Sequence, residues 1–280
     1  MSQVYLNGAF LPLEEARVSV LDRGFLFGDG IYEVIPVYGR KPLALDAHLD
    51  RLEHSLAGIR LDNPLERTAW VSLLERLIRE ATTADQSLYL QVTRGVAPRD
   101  HGFPTGVSPT VFAMSKPLTP VPPAWVQAGV AAVTRRDDRW LHCDLKTTAL
   151  LANVLLRQQA LDEGAVECLL LRAGFLTEGA ASNVVLVVDG VLCSPPRNHL
   201  LLAGITLDLV LQLAARLGIA HAERPVTEQE LRSAEEIWIT SSTREMVPVT
   251  RLDGKSVGAG QPGPIGLRLL SAYQALKNHG

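Results

Sequence analysis

Hydrophobic and polar positions along the chain fall into two periods, one of two residues and one near three and a half. Residues 4–6 and 9–11 are apolar runs that flank Asn7-Gly8, a dipeptide suited to tight hairpin turns, so a β-hairpin is expected at the start. Residues 31–38 are β-branched and aromatic and lie between Gly30 and Gly39, which predicts a strand. Leu45, Leu49, Leu52, Leu56 and Ile59 recur at helical spacing and predict a helix over 46–59. A second helix is expected over about 65–81 after Pro64, with strands at 88–93 and 110–114.

Pro117, Pro120, Pro122 and Pro123 then interrupt the pattern. Four prolines so close together cannot lie inside a helix or a central strand. They predict an interdomain linker over 118–123, between a smaller domain (1–117) and a larger one (124–280). The second half predicts strands at 130–135, 167–171, 184–188, 191–193 and 237–240. It also predicts helices at 150–163, 206–217 and 265–277. Thr227 and Glu230 have the spacing of a capping box at the start of a short helix. The elements lack a regular βαβ rhythm, so the expected class is α+β in two domains. The chain has neither GxGxxG nor GxxxxGK[ST].

Composition narrows the function. The chain has 280 residues, 47% apolar and 20% charged, which excludes a disordered chain or a disulfide-stapled miniprotein. A net charge of −3 argues against nucleic acid or an anionic membrane as partner. No apolar run approaches the ~20 residues that cross a bilayer, and the first residues do not read as a leader peptide. Cys143, Cys168 and Cys193 are evenly spaced and unclustered, so neither a disulfide nor a metal site is expected. A cytoplasmic protein is the expectation.

Only five of the 27 lysines and arginines are lysines, so each can be weighed. Lys41, Lys116, Lys255 and Lys277 sit at turns, at the linker or near the end, and read as solvated. Lys146 stands just before a strongly apolar helical stretch. A lysine forced towards a core must pair, snorkel or lose its proton, and the last makes it an amine nucleophile. Its context alone favours the paired or snorkelling state. Gly204-Ile205-Thr206 opens a helix with Thr206 as the expected N-cap, a place where free N–H groups favour an anion. Ser241-Ser242-Thr243 offers hydroxyls at a strand end, and Glu178 stands at the entrance to an apolar strand. Arg94, Arg99 and His101 follow a strand, where such groups clamp carboxylates or stay inert on the surface. Together these are the parts of a pyridoxal phosphate site.

Phe27-Gly28-Asp29-Gly30-Ile31-Tyr32-Glu33, His48-Leu-Asp-Arg51-Leu, Cys143-Asp-Leu-Lys146, Thr177-Glu178-Gly179 with Ser182-Asn183, and Gly204-Ile205-Thr206 resemble the fold-type-IV (class IV) pyridoxal phosphate enzymes in order and spacing. That family holds D-amino acid aminotransferases, branched-chain aminotransferases and aminodeoxychorismate lyases. Residues 91–101 and 139–146 resemble the D-amino acid aminotransferases most, with the Arg99-x-His101 element as the sharpest discriminator.

The resemblance implies the two-domain fold-type-IV architecture and pyridoxal 5′-phosphate as cofactor, with the larger domain carrying Lys146. Lys146 would bond the cofactor and move a proton between the substrate Cα and the cofactor's C4′. Glu178 would hold the ring nitrogen, and Leu202 would pack behind the ring. Arg51, Ile205, Thr206 and Ser242 would hold the phosphate. Tyr32, with Arg99 and His101 from the other chain of a homodimer, would trap the substrate carboxylate. Arg139 would lie near the phenolic oxygen. The implied reaction is transamination between a D-amino acid, such as D-alanine or D-glutamate, and a 2-oxo acid, pyruvate or 2-oxoglutarate. The alternatives on the same fold are aminodeoxychorismate lyase and a branched-chain L-amino acid aminotransferase. Ala180 and Ala181 depart from the family's usual serines, and Pro36 stiffens a strand expected to line the pocket.

Overall fold

The computed structural model describes residues 3–279. The chain divides into two compact units. One holds the residues up to Thr119 together with Leu145–Leu150, and the other holds Pro120–Asp144 and Leu151–His279.

In the first unit, β1 (Gln3–Leu6) and β2 (Ala9–Pro12) form the expected hairpin, with Asn7 and Gly8 both at positive φ as the tight turn requires. There follow α1 (Arg23–Phe27), β3 (Gly30–Tyr38), β4 (Lys41–Pro42), α2 (Leu45–Gly58), α3 (Arg67–Glu80), β5 (Gln86–Thr93) and β6 (Thr110–Pro117). The strands make one antiparallel sheet in the order β2-β1-β6-β5-β3-β4. Leu49, Leu52 and Leu56 of α2 and Trp70, Leu74 and Leu77 of α3 pack with Ile31, Ile35, Leu88 and Leu90 of the sheet. These helical positions recur every three to four residues, and the strand positions every two, which is why one apolar face forms on each. β4 pairs only with Val37 and Tyr38. At the other end of β3, residues 146–148 take up the backbone: Tyr32 N–H donates to Lys146 O and Thr148 N–H to Gly30 O, both at 2.9 Å.

The second unit runs α4 (Pro123–Ala128), β7 (Val130–Arg136), α5 (Leu151–Asp162), β8 (Glu167–Arg172), β9 (Phe175–Gly179), β10 (Asn183–Val188), β11 (Val191–Ser194), α6 (Ile205–Arg216), β12 (His221–Glu223), α7 (Glu228–Ser233), β13 (Glu236–Ser241), β14 (Glu245–Leu252), β15 (Lys255–Ser256) and α8 (Pro264–His279). Its sheet has the order β12-β11-β10-β13-β14-β7-β8-β9, with β15 on β14. β7 lies parallel to β14 and β8, β12 parallel to β11, and the remaining pairs are antiparallel. The inward row Val184, Leu186, Ile237, Ile239, Val247 and Val249 forms its core with Leu231 of α7. The capping box at Thr227 and Glu230 is complete in both directions. The α+β class expected from the sequence is the observed one.

Three expectations change. The continuous larger domain was expected to carry Lys146, but residues 145–150 return to the first unit because their backbone completes the open end of β3. The division of the chain falls between Thr119 and Pro120, while Pro123 is already the first residue of α4, where its missing N–H costs nothing. Lys277 also differs from its solvated reading: its Nζ pairs with the buried Glu245 at 2.8 Å.

Candidate active site

In the first unit, Lys146 precedes the helix as expected, on an irregular segment and partly buried. Its backbone is fixed on both sides of the Cα: Lys146 N–H donates to Ser55 Oγ at 3.1 Å, and its carbonyl accepts from Tyr32. Its Nζ lies 4.4 Å from the centre of the Tyr32 ring, and that ring stacks on Tyr89 at 5.8 Å. The aromatic face gives the amine an apolar, electron-rich neighbour at a defined place.

Beneath α2, β3 turns a carboxylate inward. Glu33 shares its strand face with Ile31 and Ile35 and is fully buried. Arg51 donates Nε to Oε1 at 2.7 Å and Nη2 to Oε2 at 2.8 Å, and His48 Nδ1 lies 2.8 Å from Oε2. Burial pushes the Glu33 carboxyl up, but the Arg51 charge and the hydrogen bonds from Arg51 and His48 outweigh it and hold it far below the carboxylate range. Burial holds the His48 pKa down, so at neutral pH the uncharged imidazole donates Nδ1–H to the carboxylate. Arg51, expected at the phosphate, is therefore oriented by a buried acid.

Arg99 and His101 lie exposed on the segment that leads from β5 to β6. Both pack on Phe27, the Arg99 guanidinium 5.4 Å and the His101 ring 5.5 Å from its centre. Arg94 is buried and spends its guanidinium on Asp29 and on the carbonyls of Ile59 and Arg60.

In the second unit, Glu178 is buried at the end of β9. Its Oε1 accepts from Arg139 Nη1 at 2.5 Å, and its Oε2 from Asn183 Nδ2 and from Leu202 N–H, each at 3.2 Å. Asp137 grips the same guanidinium from the other side, taking Nε at 2.9 Å and Nη2 at 3.0 Å, and also accepts from Thr177 Oγ1. Burial lowers and these two carboxylates raise the Arg139 pKa; the rise wins, so the cation persists. The resemblance sets Arg139 beside the cofactor's phenolic oxygen; the structure binds it to Glu178, Asp137 and Leu200 O. Burial lifts the Cys143 thiol to about 11, so it is uncharged at neutral pH.

The opening of α6 also departs from expectation. Gly204, not Thr206, is the N-cap, so Ile205 and Thr206 are the first two helical residues and their N–H groups face outward from the helix start. Gly204 is required there: a Cβ on it would come within 1.8 Å of Asn183 Oδ1. Asn183 thus touches the start of α6, holds Leu202 O at 2.8 Å and donates to Glu178. Ser242 lies half-buried in the turn after β13.

This donor set fits pyridoxal 5′-phosphate. The cradle at Gly204 admits no side chain, the α6 start offers two N–H groups and the Thr206 hydroxyl to a phosphate, and Glu178 accepts hydrogen bonds from one cation and two neutral donors. Sequence reasoning singled out Lys146, Glu178 and the Gly204 region. It gave no role to Glu33, His48, Asp137 or Asn183. Glu33, His48 and Asn183 stood inside the quoted motifs, and for Glu33 a carboxylate between apolar strand positions was the available signal.

Comparison with known proteins identifies the family. A family model described as amino-transferase class IV matches residues 30–252. The D-alanine aminotransferase of Bacillus licheniformis is 42% identical over 272 residues, covering 97% of this chain and 96% of that protein. The D-alanine aminotransferase of Staphylococcus epidermidis is 38% identical over 275 residues, covering 98% and 97%. Among solved structures, Escherichia coli branched-chain amino acid aminotransferase superposes with a TM-score of 0.91 at 26% identity, covering 98% of this chain and 94% of that one. The branched-chain amino acid aminotransferase of T.th., solved with pyridoxamine 5′-phosphate, gives 0.91 at 25% identity, covering 99% and 94%. The chain belongs to the class IV aminotransferase family. It is a pyridoxal phosphate-dependent enzyme of the fold-type-IV architecture.

Proposed function

We propose that this protein is a D-amino acid aminotransferase that exchanges the amino group of D-alanine or D-glutamate with pyruvate or 2-oxoglutarate. The observation that carries the handedness is the full-length identity to D-alanine aminotransferases, at 42% over 97% of this chain. The solved branched-chain enzymes share the fold at lower identity, 25–26%. They supply the second reading, an L-amino acid aminotransferase.

Bound pyridoxal phosphate supplies a ring that accepts the electron pair left when the substrate Cα loses its proton. In this reading Lys146 bonds the cofactor, and its Nζ, freed by the incoming amine, takes that proton. A base fixed beside the carbon replaces a proton carrier from solvent. The contact with Tyr32 and the two backbone bonds hold it there. Glu178 keeps a proton on the ring nitrogen, and the Arg139–Asp137 pair keeps Glu178 aimed. The α6 N–H groups of Ile205 and Thr206, the hydroxyls of Thr206 and Ser242, and Arg51 hold the phosphate. Leu202 backs the ring. Tyr32, with Arg99 and His101 of a second copy, holds the substrate carboxylate.

A homodimer is part of this reading. Val18, Val20, Leu21 and Phe25 are exposed before and within α1 in the first unit, as are Leu151, Val154 and Leu155 on α5 in the second. Apolar surface of this extent favours a protein partner. Among the described residues no helix is long and apolar enough to cross a membrane. Three buried free thiols suit a reducing, cytoplasmic setting.

The test is a panel of both enantiomers with 2-oxoglutarate, run on protein loaded with pyridoxal phosphate. D-alanine is expected to turn over and L-leucine to be nearly inert. The reverse preference establishes the second reading, and release of 4-aminobenzoate from aminodeoxychorismate without D-alanine turnover establishes the lyase. Borohydride reduction is expected to fix the cofactor on Lys146.

A further inference from the structure

The segment that carries Arg99 and His101 is exposed, yet it is tied to the interior by a buried cation. Arg23, on α1, is only 3% exposed. Its Nη1 donates to Asp100 O at 2.6 Å and to Gly102 O at 3.2 Å, and its Nη2 to His101 O at 3.5 Å. Its Nε donates to Asp29 Oδ2 at 2.7 Å. One guanidinium therefore gathers three successive carbonyls of the loop, and a carboxylate fixes the plane of that guanidinium.

The other end of α1 meets the side chains of the same loop. Phe27 lies four residues after Arg23, on the same helical face, with the Arg23 guanidinium 4.9 Å from its ring centre. Arg99 and His101 both rest on that ring. α1 is itself held: Asp22 caps Gly24 N–H and accepts from the hydroxyls of Thr93 and Thr110, and Gly28 ends the helix at φ +66. Asp29 is fixed in turn by Arg94, whose guanidinium lies 3.8 Å from the Phe103 ring.

A loop that merely joins β5 to β6 needs no such arrangement. Burying a guanidinium costs free energy that only full pairing offsets. Here the pairing is spent on the main chain of three residues, which bear or flank the side chains assigned to the substrate. We propose that Arg23, fixed by Asp29, is a positioning residue that sets the Arg99–His101 loop for recognition of the substrate carboxylate. The proposal rests on the role given above to Arg99 and His101. Arg23 touches neither substrate nor cofactor. It holds the loop backbone so that two exposed, long or rotatable side chains start from a fixed origin, which lowers the ordering cost when a carboxylate binds.

The experiment compares the loaded wild-type enzyme with Arg23→Lys, Asp29→Asn and Arg99→Ala. Each is reacted with D-alanine and with D-alaninol, the same amine without the carboxylate. Lysine cannot reach three carbonyls in one plane, and asparagine removes the charge that fixes the guanidinium. In Arg23→Lys the KM for D-alanine is expected to rise about tenfold or more, as for the loss of hydrogen bonds to a charged group. The half-reaction with D-alaninol and the cofactor affinity stay within about twofold. Hydrogen exchange of amides 99–103, read by mass spectrometry, is expected to quicken in the same variant. Equal losses for the two amines, or unchanged exchange in the loop, overturn the proposal. Should Arg23→Lys fail to fold, Asp29→Asn is read by the same criteria. If Arg99→Ala itself does not discriminate D-alanine from D-alaninol, the carboxylate-trap reading fails. If it discriminates and the Arg23 and Asp29 variants do not, only the anchor fails.

Discussion

Arg51 meets Glu33 side by side, Nε on Oε1 at 2.7 Å and Nη2 on Oε2 at 2.8 Å, with the carboxylate fully buried. The pair orients an arginine assigned to the phosphate, and it also ties stability to pH. Folding depresses the Glu33 carboxyl below its ordinary 4.5. Its stabilisation is therefore complete above that value and is lost as the pH falls, because the unfolded chain takes up a proton that the folded one does not. Urea midpoints measured between pH 3 and 7 should fall steeply on the acid side for the wild type and less so for Glu33→Gln. At pH 7 the variant should lose ~3–5 kcal/mol, the cost of leaving one member of a buried pair alone.

Gly204→Ala tests the cradle. The new Cβ would strike Asn183 Oδ1, so either α6 or Asn183 must move. The expected loss is ~1–3 kcal/mol of stability, as for other overpacked sites. Equilibrium dialysis against pyridoxal phosphate should show weaker cofactor binding in the same variant, because Asn183 also holds Glu178 and Leu202 O. A normal cofactor affinity would separate the α6 start from the phosphate.

Glu178→Gln keeps the shape and removes the charge opposite Arg139. Stopped-flow rates of the D-alanine half-reaction should drop by about 10²-fold or more, in line with the loss of a preorganised electrostatic group. Retention of the wild-type rate would deny Glu178 a role at the ring nitrogen.

Arg99→Ala should raise the KM for D-alanine much more than it weakens cofactor binding. A charged contact to a carboxylate is worth ~2–4 kcal/mol, so steady-state kinetics should show a rise of about ten- to several-hundredfold. Equal damage to both would place Arg99 elsewhere.

Elements whose period and punctuation agreed were legible from the sequence. The Asn7-Gly8 hairpin, the Leu49–Leu52–Leu56 stripe and the Thr227–Glu230 box each carried a local cause and appear where expected. β9 and β14 did not read as strands. β9 is short, mixes Thr177 and Glu178 among its apolar positions and ends on Gly179. β14 carries Pro248, which argues against an interior strand. Its register with β7 begins only at Val249, so Pro248 stands where that side of the strand is still open. The chemistry was legible where a motif concentrated it, at Lys146, Glu178 and Gly204. The supporting pairs were not, because Glu33 meets Arg51 and Glu178 meets Arg139 only once the chain has folded, and a carboxylate on a strand has no spacing rule for a partner 18 or 39 residues away.

The strip from Leu145 to Leu150 has a consequence for biosynthesis. The first unit lacks the backbone partner of Gly30 and Tyr32 until residue 150 has left the ribosome. An amino-terminal fragment ending in the proline-rich stretch would emerge with that strand end bare. Completion of the earlier-made unit is thus timed by a stretch translated well inside the later one.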